Sequence, residues 1–260
     1  MEKNKLACTV GMTIAVYAAT GALGVVAFAQ EDLTDGLGQM MSDGKAYLDL
    51  RYRYEGVDQD GFSRDASAST LRSRLGFSSG VVNGLSFQVE FDNVTSIGSE
   101  RYNSTENGNS QYPVVADPTG TELNQALLKY AGDIFNGTYG RQRILHANQR
   151  FIGGVAWRQN EQTYDGFRAT VKPAAALNID YSYVYNVKRI FGPDDGANPA
   201  NLHGNNHFFL TDYTIADNHK IAGYAYLLDF DSNSSYPSGK TQDNSSNTWG
   251  LEYTGKISIV

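Results

Sequence analysis

The sequence predicts an all-β protein, an antiparallel transmembrane β-barrel of which about ten strands are present. Three observations support this fold class. Apolar and polar residues alternate with a period of two in about ten segments of roughly ten residues each. The turns between these segments are alternately short and long, as they are in membrane barrels. An export signal precedes the first segment.

The export signal occupies the first thirty residues. Lys3 and Lys5 give a positive start, an apolar run follows, and Ala27-Phe28-Ala29 supplies small residues at a cleavage site. A transmembrane anchor is the alternative, because the run is about twenty residues long. The acidic, glycine-rich sequence after Ala29 favours cleavage. We therefore expect a signal peptide over residues 1–29, an N-terminal periplasmic segment over 30–44, and the barrel region over 45–260.

The alternation is clearest over residues 177–188. Leu177, Ile179 and Tyr181 lie on one face there, and Asn178, Asp180 and Ser182 lie on the other. Strands of this kind have one apolar and one polar face. In a membrane barrel the apolar face contacts lipid and the polar face lines a water-filled interior.

Turn length is the second observation. Short turns are predicted at 83–84, 135–137, 173–175 and 217–218, and long loops at 56–68, 97–121, 145–165, 191–206 and 231–246. Membrane barrels place short turns on the periplasmic side and long loops outside. The alternative is a secreted β-sandwich or β-helix, in which the apolar face is a core. That alternative would make the protein a glycan-binding or structural surface protein without transport activity.

Charge and motifs exclude several function classes. The formal net charge of −7 disfavours nucleic-acid binding. The one cysteine, Cys8, lies in the export signal, so no disulfide framework is expected. No nucleophile elbow, phosphate loop or metal-ligand spacing is present. His203 and His207 are four residues apart, but they fall at a strand start and not on a helix. We expect neither an enzyme nor a cofactor or metal site.

The polar faces are rich in basic residues, which are candidates for a substrate pathway. Three arginine pairs are spaced two residues apart, and residues so spaced on a strand point the same way. Carboxylates are predicted on the same faces. The candidate cations are Arg51, Arg53, Arg72, Arg74, Arg141 and Arg143, with Lys129 and Arg158 as weaker candidates, and the candidate carboxylates are Asp49, Glu55, Glu90 and Asp92.

These charges allow two interpretations. In the first, arginines and carboxylates form a network of ion pairs that stiffens the barrel wall. In the second, the arginines make an electropositive conduit, because the planar guanidinium matches a carboxylate in bidentate fashion. Both can hold, with different arginines in each role.

Several stretches carry a resemblance to a known family. They are DLRYRYE at 49–55, YPVVADPTGTELNQA at 112–126, GRQRI at 140–144, NQRFIG at 148–153 and WRQNEQTYD at 157–165. Together they resemble the alginate export family of bacterial outer-membrane proteins, over residues of about 45 to 255. The GRQ and WRQN stretches are the more specific part of this resemblance.

The resemblance implies a porin that passes alginate or a related anionic oligosaccharide or polysaccharide by diffusion, through an arginine-lined constriction. It implies a place in the outer membrane of a Gram-negative bacterium, with membrane lipid and the barrel assembly machinery as partners. Export and uptake both remain open. Barrels of this family are larger and end on an aromatic residue, whereas this chain ends on Val260. We therefore expect it to be the N-terminal part of a larger barrel.

Overall fold

The computed structural model describes residues 34–231 and 243–256. Ten β-strands dominate it, and they confirm the predicted all-β fold. They are β1 (Lys45–Val57), β2 (Ala66–Ser78), β3 (Leu85–Ser96), β4 (Gly120–Ala131), β5 (Phe135–Gln142), β6 (Thr163–Ala174), β7 (Leu177–Lys188), β8 (Asn201–Ala216), β9 (His219–Leu228) and β10 (Ser246–Gly255).

The strands form one antiparallel sheet whose order follows the sequence from β1 to β10. Each strand pairs with its neighbour in the chain, as a β-meander requires. Within the described residues β1 pairs only with β2 and β10 only with β9, so the sheet is not closed. Its outer strands are therefore β1 and β10.

The apolar face of the sheet is exposed. Leu50 and Tyr52 on β1 are each 60% exposed, Leu75 on β2 is 58% exposed, and Trp249 on β10 is 79% exposed. On the opposite face, charged side chains such as Glu90 are buried. A water-soluble protein does the reverse, because exposing so much apolar surface to water is costly. This inverted arrangement is the one that a membrane-spanning strand requires.

Short turns and long loops alternate along the meander. The β6–β7 and β8–β9 turns span residues 175–176 and 217–218, whereas the β3–β4 and β5–β6 loops span 97–119 and 143–162. In the β8–β9 turn Asn218 has a φ of 64°, a left-handed conformation that asparagine tolerates better than most residues.

One predicted turn, at residues 135–137, is wrong. Phe135 begins β5, and it lies opposite Val171 of β6. The actual turn spans residues 132–134, where the amide of Gly132 donates to the carbonyl of Phe135 over 2.9 Å. The Asn136-Gly137 dipeptide is a turn signal, but pairing with β6 on one side and β4 on the other holds it in the sheet.

The region before β1 contains a helix over residues 34–42. The predicted signal peptide lies outside the described residues, and it stays a prediction. Of the predicted periplasmic segment, residues 34–44 are described. No helix among the described residues is both long and apolar enough to cross a membrane.

Candidate functional site

Two arginines and three carboxylates form a central cluster on the polar face. Arg74 Nε and Nη2 donate to the two carboxylate oxygens of Asp92, each over 2.7 Å, because the β2–β3 register places these residues opposite each other. Arg74 Nη2 also donates to Glu161 Oε1 over 2.9 Å. Arg143 Nη2 donates to Glu90 Oε1 over 2.5 Å and to Glu161. The cluster has one more carboxylate than cations.

Neutral groups complete the hydrogen bonding of this central cluster. Asn124 Nδ2 donates to Glu90 Oε1 over 2.7 Å and to Glu161, and the Tyr47 hydroxyl donates to Glu90. Buried carboxylates need such partners, since an unpaired charge away from water is costly. In the central cluster each of the three carboxylates therefore accepts a hydrogen bond from an arginine.

A second cluster joins β1 to the β5–β6 loop. Arg53 Nη2 lies 2.5 Å from Glu55, and Arg158 Nη1 lies 3.2 Å from the same carboxylate. Both guanidinium groups also lie within 4 Å of Asp117. Both lie over the ring of Trp157, with Arg158 Cζ at 4.2 Å and Arg53 Cζ at 5.4 Å from its centroid.

Arg51 belongs to this second cluster, and its partners are neutral. Its Nε donates to Gln159 Oε1 over 3.0 Å, its Nη1 donates to the carbonyl of Ala156 over 2.8 Å, and its Nη2 donates to the carbonyl of Arg158. No described carboxylate lies within ion-pair distance of it. The second cluster thus has one more cation than carboxylates, and Arg51 is its one arginine without an ion pair to a described carboxylate.

Gln159 fixes the loop to the wall. Its backbone amide donates to Asp117 Oδ1 over 2.9 Å, and its side-chain Nε2 donates to Thr70 Oγ1 over 2.8 Å. Its Oε1 accepts the bond from Arg51, and the residue is fully buried. One residue, through its side chain and its backbone amide, thereby connects β1, β2, the β3–β4 loop and the β5–β6 loop.

The same loop also contacts the far end of the sheet. Phe151 packs against Tyr224 of β9, with ring centroids 5.7 Å apart. In a flat sheet β1 and β9 would lie about 38 Å apart, since neighbouring strands are about 4.8 Å apart. The five residue-to-residue steps from Phe151 to Ala156 span at most about 18 Å when extended, and this loop contains several turns and bends. The sheet therefore curves around the loop, with the polar face inside.

Several further charged residues form separate pairs along the wall. Arg141 binds Asp165 through two bonds of 2.7 Å, Arg72 binds Asp49, and Lys188 Nζ lies 2.9 Å from Glu122. Arg168 binds Asp180 in the same bidentate way as Arg141 binds Asp165. Lys129 is exposed on β4, and it forms no ion pair with the described residues.

The predicted cations are therefore divided among several environments. Arg51, Arg53 and Arg158 meet in the second cluster, and Arg74 and Arg143 meet in the central cluster. Arg141 and Arg143 do not form the strand pair that their spacing predicts, because β5 ends at Gln142. All four predicted carboxylates, Asp49, Glu55, Glu90 and Asp92, are partners of arginines.

Sequence reasoning missed several members of these clusters, namely Asp117, Gln159 and Glu161. They lie in loops, where no period-two pattern identifies a polar face. The available signal was their position within the motif stretches at 112–126 and 157–165. Those two stretches contribute loop residues that meet over the polar face.

A contact between the β3–β4 loop and the β7–β8 loop contains a carboxyl group with a raised pKa. Glu106 of the β3–β4 loop lies beside Asp194 of the β7–β8 loop, and its Oε1 is buried without a hydrogen-bond partner. Burial, and next the negative charge of Asp194, raise the pKa of Glu106 to about 7. A carboxyl group in this position changes its charge near neutral pH.

The sequence was matched against known protein families. Residues 45–259 match the alginate export family, which is most of the chain. The chain belongs to the alginate export family. The predicted resemblance is confirmed, and the match begins at the first residue of β1. No curated protein is similar enough in sequence to count as a match.

Several solved structures have a similar fold. OccD3 (OpdP) of Pseudomonas aeruginosa is 16% identical, with a TM-score of 0.54 over 84% of this chain and 45% of that one. OccK8 (OprE) of the same organism is 15% identical, with a TM-score of 0.56 over 84% and 51%. OccAB3 of Acinetobacter baumannii is 15% identical, with a TM-score of 0.55 over 85% and 55%.

These likenesses concern the fold, which resembles that of outer-membrane porin barrels. The chain spans about half the length of the solved structures that it matches. Family and fold together indicate an outer-membrane protein.

Proposed function

We propose that this member of the alginate export family forms a passive outer-membrane channel for alginate or a related anionic oligosaccharide or polysaccharide. The polar face lines the lumen, and the exposed apolar face contacts lipid. The family match and the porin-like fold support a channel. In this proposal residues 1–29 are a cleaved signal peptide, 30–44 a periplasmic segment and 45–260 the barrel region. The barrel assembly machinery inserts that region.

The proposal includes no catalysis and no cofactor. The four predicted carboxylates are each paired with an arginine, whereas a general acid or base needs a group free to exchange a proton with a substrate. Among the described residues, no group of three or more histidine, cysteine, aspartate or glutamate side chains could hold a metal ion. In this proposal the lumen selects the anionic sugar chain and lets it diffuse across the membrane.

The proposal of an anionic substrate rests mainly on Arg51, whose hydrogen-bond acceptors are all uncharged. An arginine paired with a carboxylate contributes little net field, and Arg72, Arg74, Arg141 and Arg143 are all paired in this way. Arg51 has only neutral acceptors, so its positive charge is available to a passing anion. We assign the selective role to Arg51 first. Arg53 and Arg158 share two carboxylates and come next, followed by the exposed Lys129.

Planar-bilayer recording on the full-length gene product tests this function. We expect an anion preference in a salt gradient, and a fall in ion current when alginate oligomers are added. Arg51→Gln should lower the anion preference and weaken the block by alginate. Arg51→Lys should keep most of the preference, because the charge remains.

Two outcomes would contradict the proposal. A cation-selective current that alginate oligomers leave unchanged would overturn the substrate class. If Arg51→Gln and the unmodified protein have equal reversal potentials, the selective role of Arg51 is wrong, and Arg53 and Arg158 become the next residues to substitute.

A further inference from the structure

The β5–β6 loop forms an open cavity of its own. The cavity has a volume of about 500 Å³, within the range of small-molecule sites, and its walls come only from residues of that loop. Two aromatic residues line it, Phe151 and Trp157, and they are 48% and 61% exposed. Phe151 packs against Tyr224, and Arg53 and Arg158 lie over Trp157. The exposed parts of the two aromatic side chains are still available to a ligand.

Cationic and amide groups accompany these rings. Arg150 lies over Phe151, with Cζ 5.7 Å from the ring centroid, and its exposed guanidinium forms no ion pair with the described residues. The amide side chains of Asn148, Gln149 and Gln162 complete the lining. A pyranose ring bearing a carboxylate needs such a combination: apolar faces for its C–H groups, amides for its hydroxyls, and a guanidinium for its acid group.

The loop holds this lining in a strained backbone. Gln149 has a φ of 61° and Val155 has a φ of 51°, and for a β-branched residue such a φ is a genuine outlier. Strain of this kind persists only where surrounding contacts over-determine it, and it concentrates at ligand sites. The contacts of Gln159 and of Phe151 with the wall provide that support.

We propose that this cavity is a binding subsite for one acidic sugar unit, with Phe151 and Trp157 as the aromatic surfaces and Arg150 as the carboxylate partner. The choice of an acidic sugar rests on the proposed function. The subsite adds saturable, substrate-specific binding to a channel whose other arginines act through their charge alone.

Tryptophan fluorescence offers a direct test, because the chain has only two tryptophans, Trp157 and Trp249. In the full chain carrying Trp249→Phe, refolded in detergent, Trp157 is the single reporter. We expect saturable quenching or shift of its emission by an alginate trisaccharide. Maltotriose, a neutral sugar of the same length, and propane-1,2,3-tricarboxylate, a compound with three carboxylates and no ring, should bind much more weakly.

Arg150→Gln should weaken alginate trisaccharide binding about threefold to tenfold, as loss of one partly solvated charge-assisted hydrogen bond predicts. Arg101→Gln is the matched control: Arg101 is also exposed in a loop, lacks an ion pair with the described residues and lies outside the cavity lining. Should Trp249→Phe fail to assemble, the same titration on the unmodified protein and on Arg150→Gln gives the comparison.

The outcomes for the subsite and for the channel can be told apart. If the trisaccharide changes the Trp157 emission saturably but the protein conducts no ions, the subsite stands and the transport proposal is overturned. Conductance without a fluorescence response to the trisaccharide would overturn the subsite alone. Equal responses to the trisaccharide and to the tricarboxylate would also overturn it, since they would reflect charge without sugar recognition.

Discussion

Glu161 is the residue through which the β5–β6 loop is tied to the central cluster. Its carboxylate lies 2.9 Å from Arg74, and it also accepts bonds from Arg143 and Asn124. A carboxylate placed between two guanidinium groups offsets their mutual repulsion. Without it, the two arginines depend on Glu90 and Asp92, which belong to the wall and not to the loop.

Glu161→Gln is therefore expected to destabilise the protein by about 1–3 kcal/mol, because it removes the charge from a buried acceptor shared by two arginines. The measurement is the urea midpoint of unfolding in detergent. Asp133→Asn removes one negative charge from an exposed turn residue that forms no ion pair with the described residues, and it should leave the midpoint unchanged. Equal midpoints for the two variants would show that Glu161 adds no stability.

Glu106 makes the contact between the β3–β4 and β7–β8 loops depend on pH. Its pKa in the folded protein is raised from 4.5 to about 7, by burial and by Asp194, while Lys188 opposes this shift and Glu122 adds to it. Folding therefore favours the protonated form. The stabilisation is complete below pH 4.5, and it is lost as the pH rises towards about 7.

Glu106→Gln should flatten the decline in the urea midpoint over this pH interval, because glutamine stays neutral throughout. Glu100→Gln removes a carboxylate from the same loop, and it should keep the decline. A Glu106→Gln profile as steep as that of the unmodified protein would assign the pH dependence to other groups.

At the scale of elements, Gly140 sets how closely β4 and β5 approach. Its φ is 111°, and a Cβ at this position would lie 2.3 Å from the carbonyl oxygen of Ala126. Gly140→Ala must therefore separate the two strands as well as strain the backbone. Arg141 and Arg143 follow directly, so their ion pairs would move with β5.

Gly61 provides the control for this substitution. It has a φ of 91°, but the space around it is open. Gly61→Ala should cost only the left-handed backbone strain, about 1–2 kcal/mol. We expect Gly140→Ala to cost more than Gly61→Ala in the same urea titration. The reverse order would mean that the sheet accommodates a methyl group between β4 and β5.

The strands and the loops differ in what the sequence predicts. A period of two identifies a strand such as β7 because alternate residues meet different solvents. The start of β5 was not predictable, since pairing with β6 overrides the turn preference of Asn136-Gly137. The contact of Arg51 with Gln159 was not predictable either. It joins residues more than a hundred positions apart, and one of them lies in a loop without periodicity.

At the scale of the whole molecule, the two faces of the sheet set the environment of every site described above. Charge lies on the face that curves around the β5–β6 loop, and the opposite face exposes leucine, tyrosine and tryptophan. A secreted glycan-binding protein with this sheet would have to cover the exposed face with a second layer. The described residues contain no such layer, so the exposed face is where the membrane protein and the soluble alternative differ most.

Substitution of Leu50 distinguishes the membrane protein from the soluble alternative, since Leu50 lies near the middle of β1 and is 60% exposed. If the apolar face contacts lipid, Leu50→Arg should cost about 2–4 kcal/mol, as for a cation near the bilayer midplane. Leu50→Ala should cost less, because it adds no charge. The measurement is the folded fraction of the full-length gene product in phosphatidylcholine vesicles, titrated with urea. A Leu50→Arg protein that folds in water without lipid or detergent would favour the soluble alternative and overturn the membrane assignment of this face.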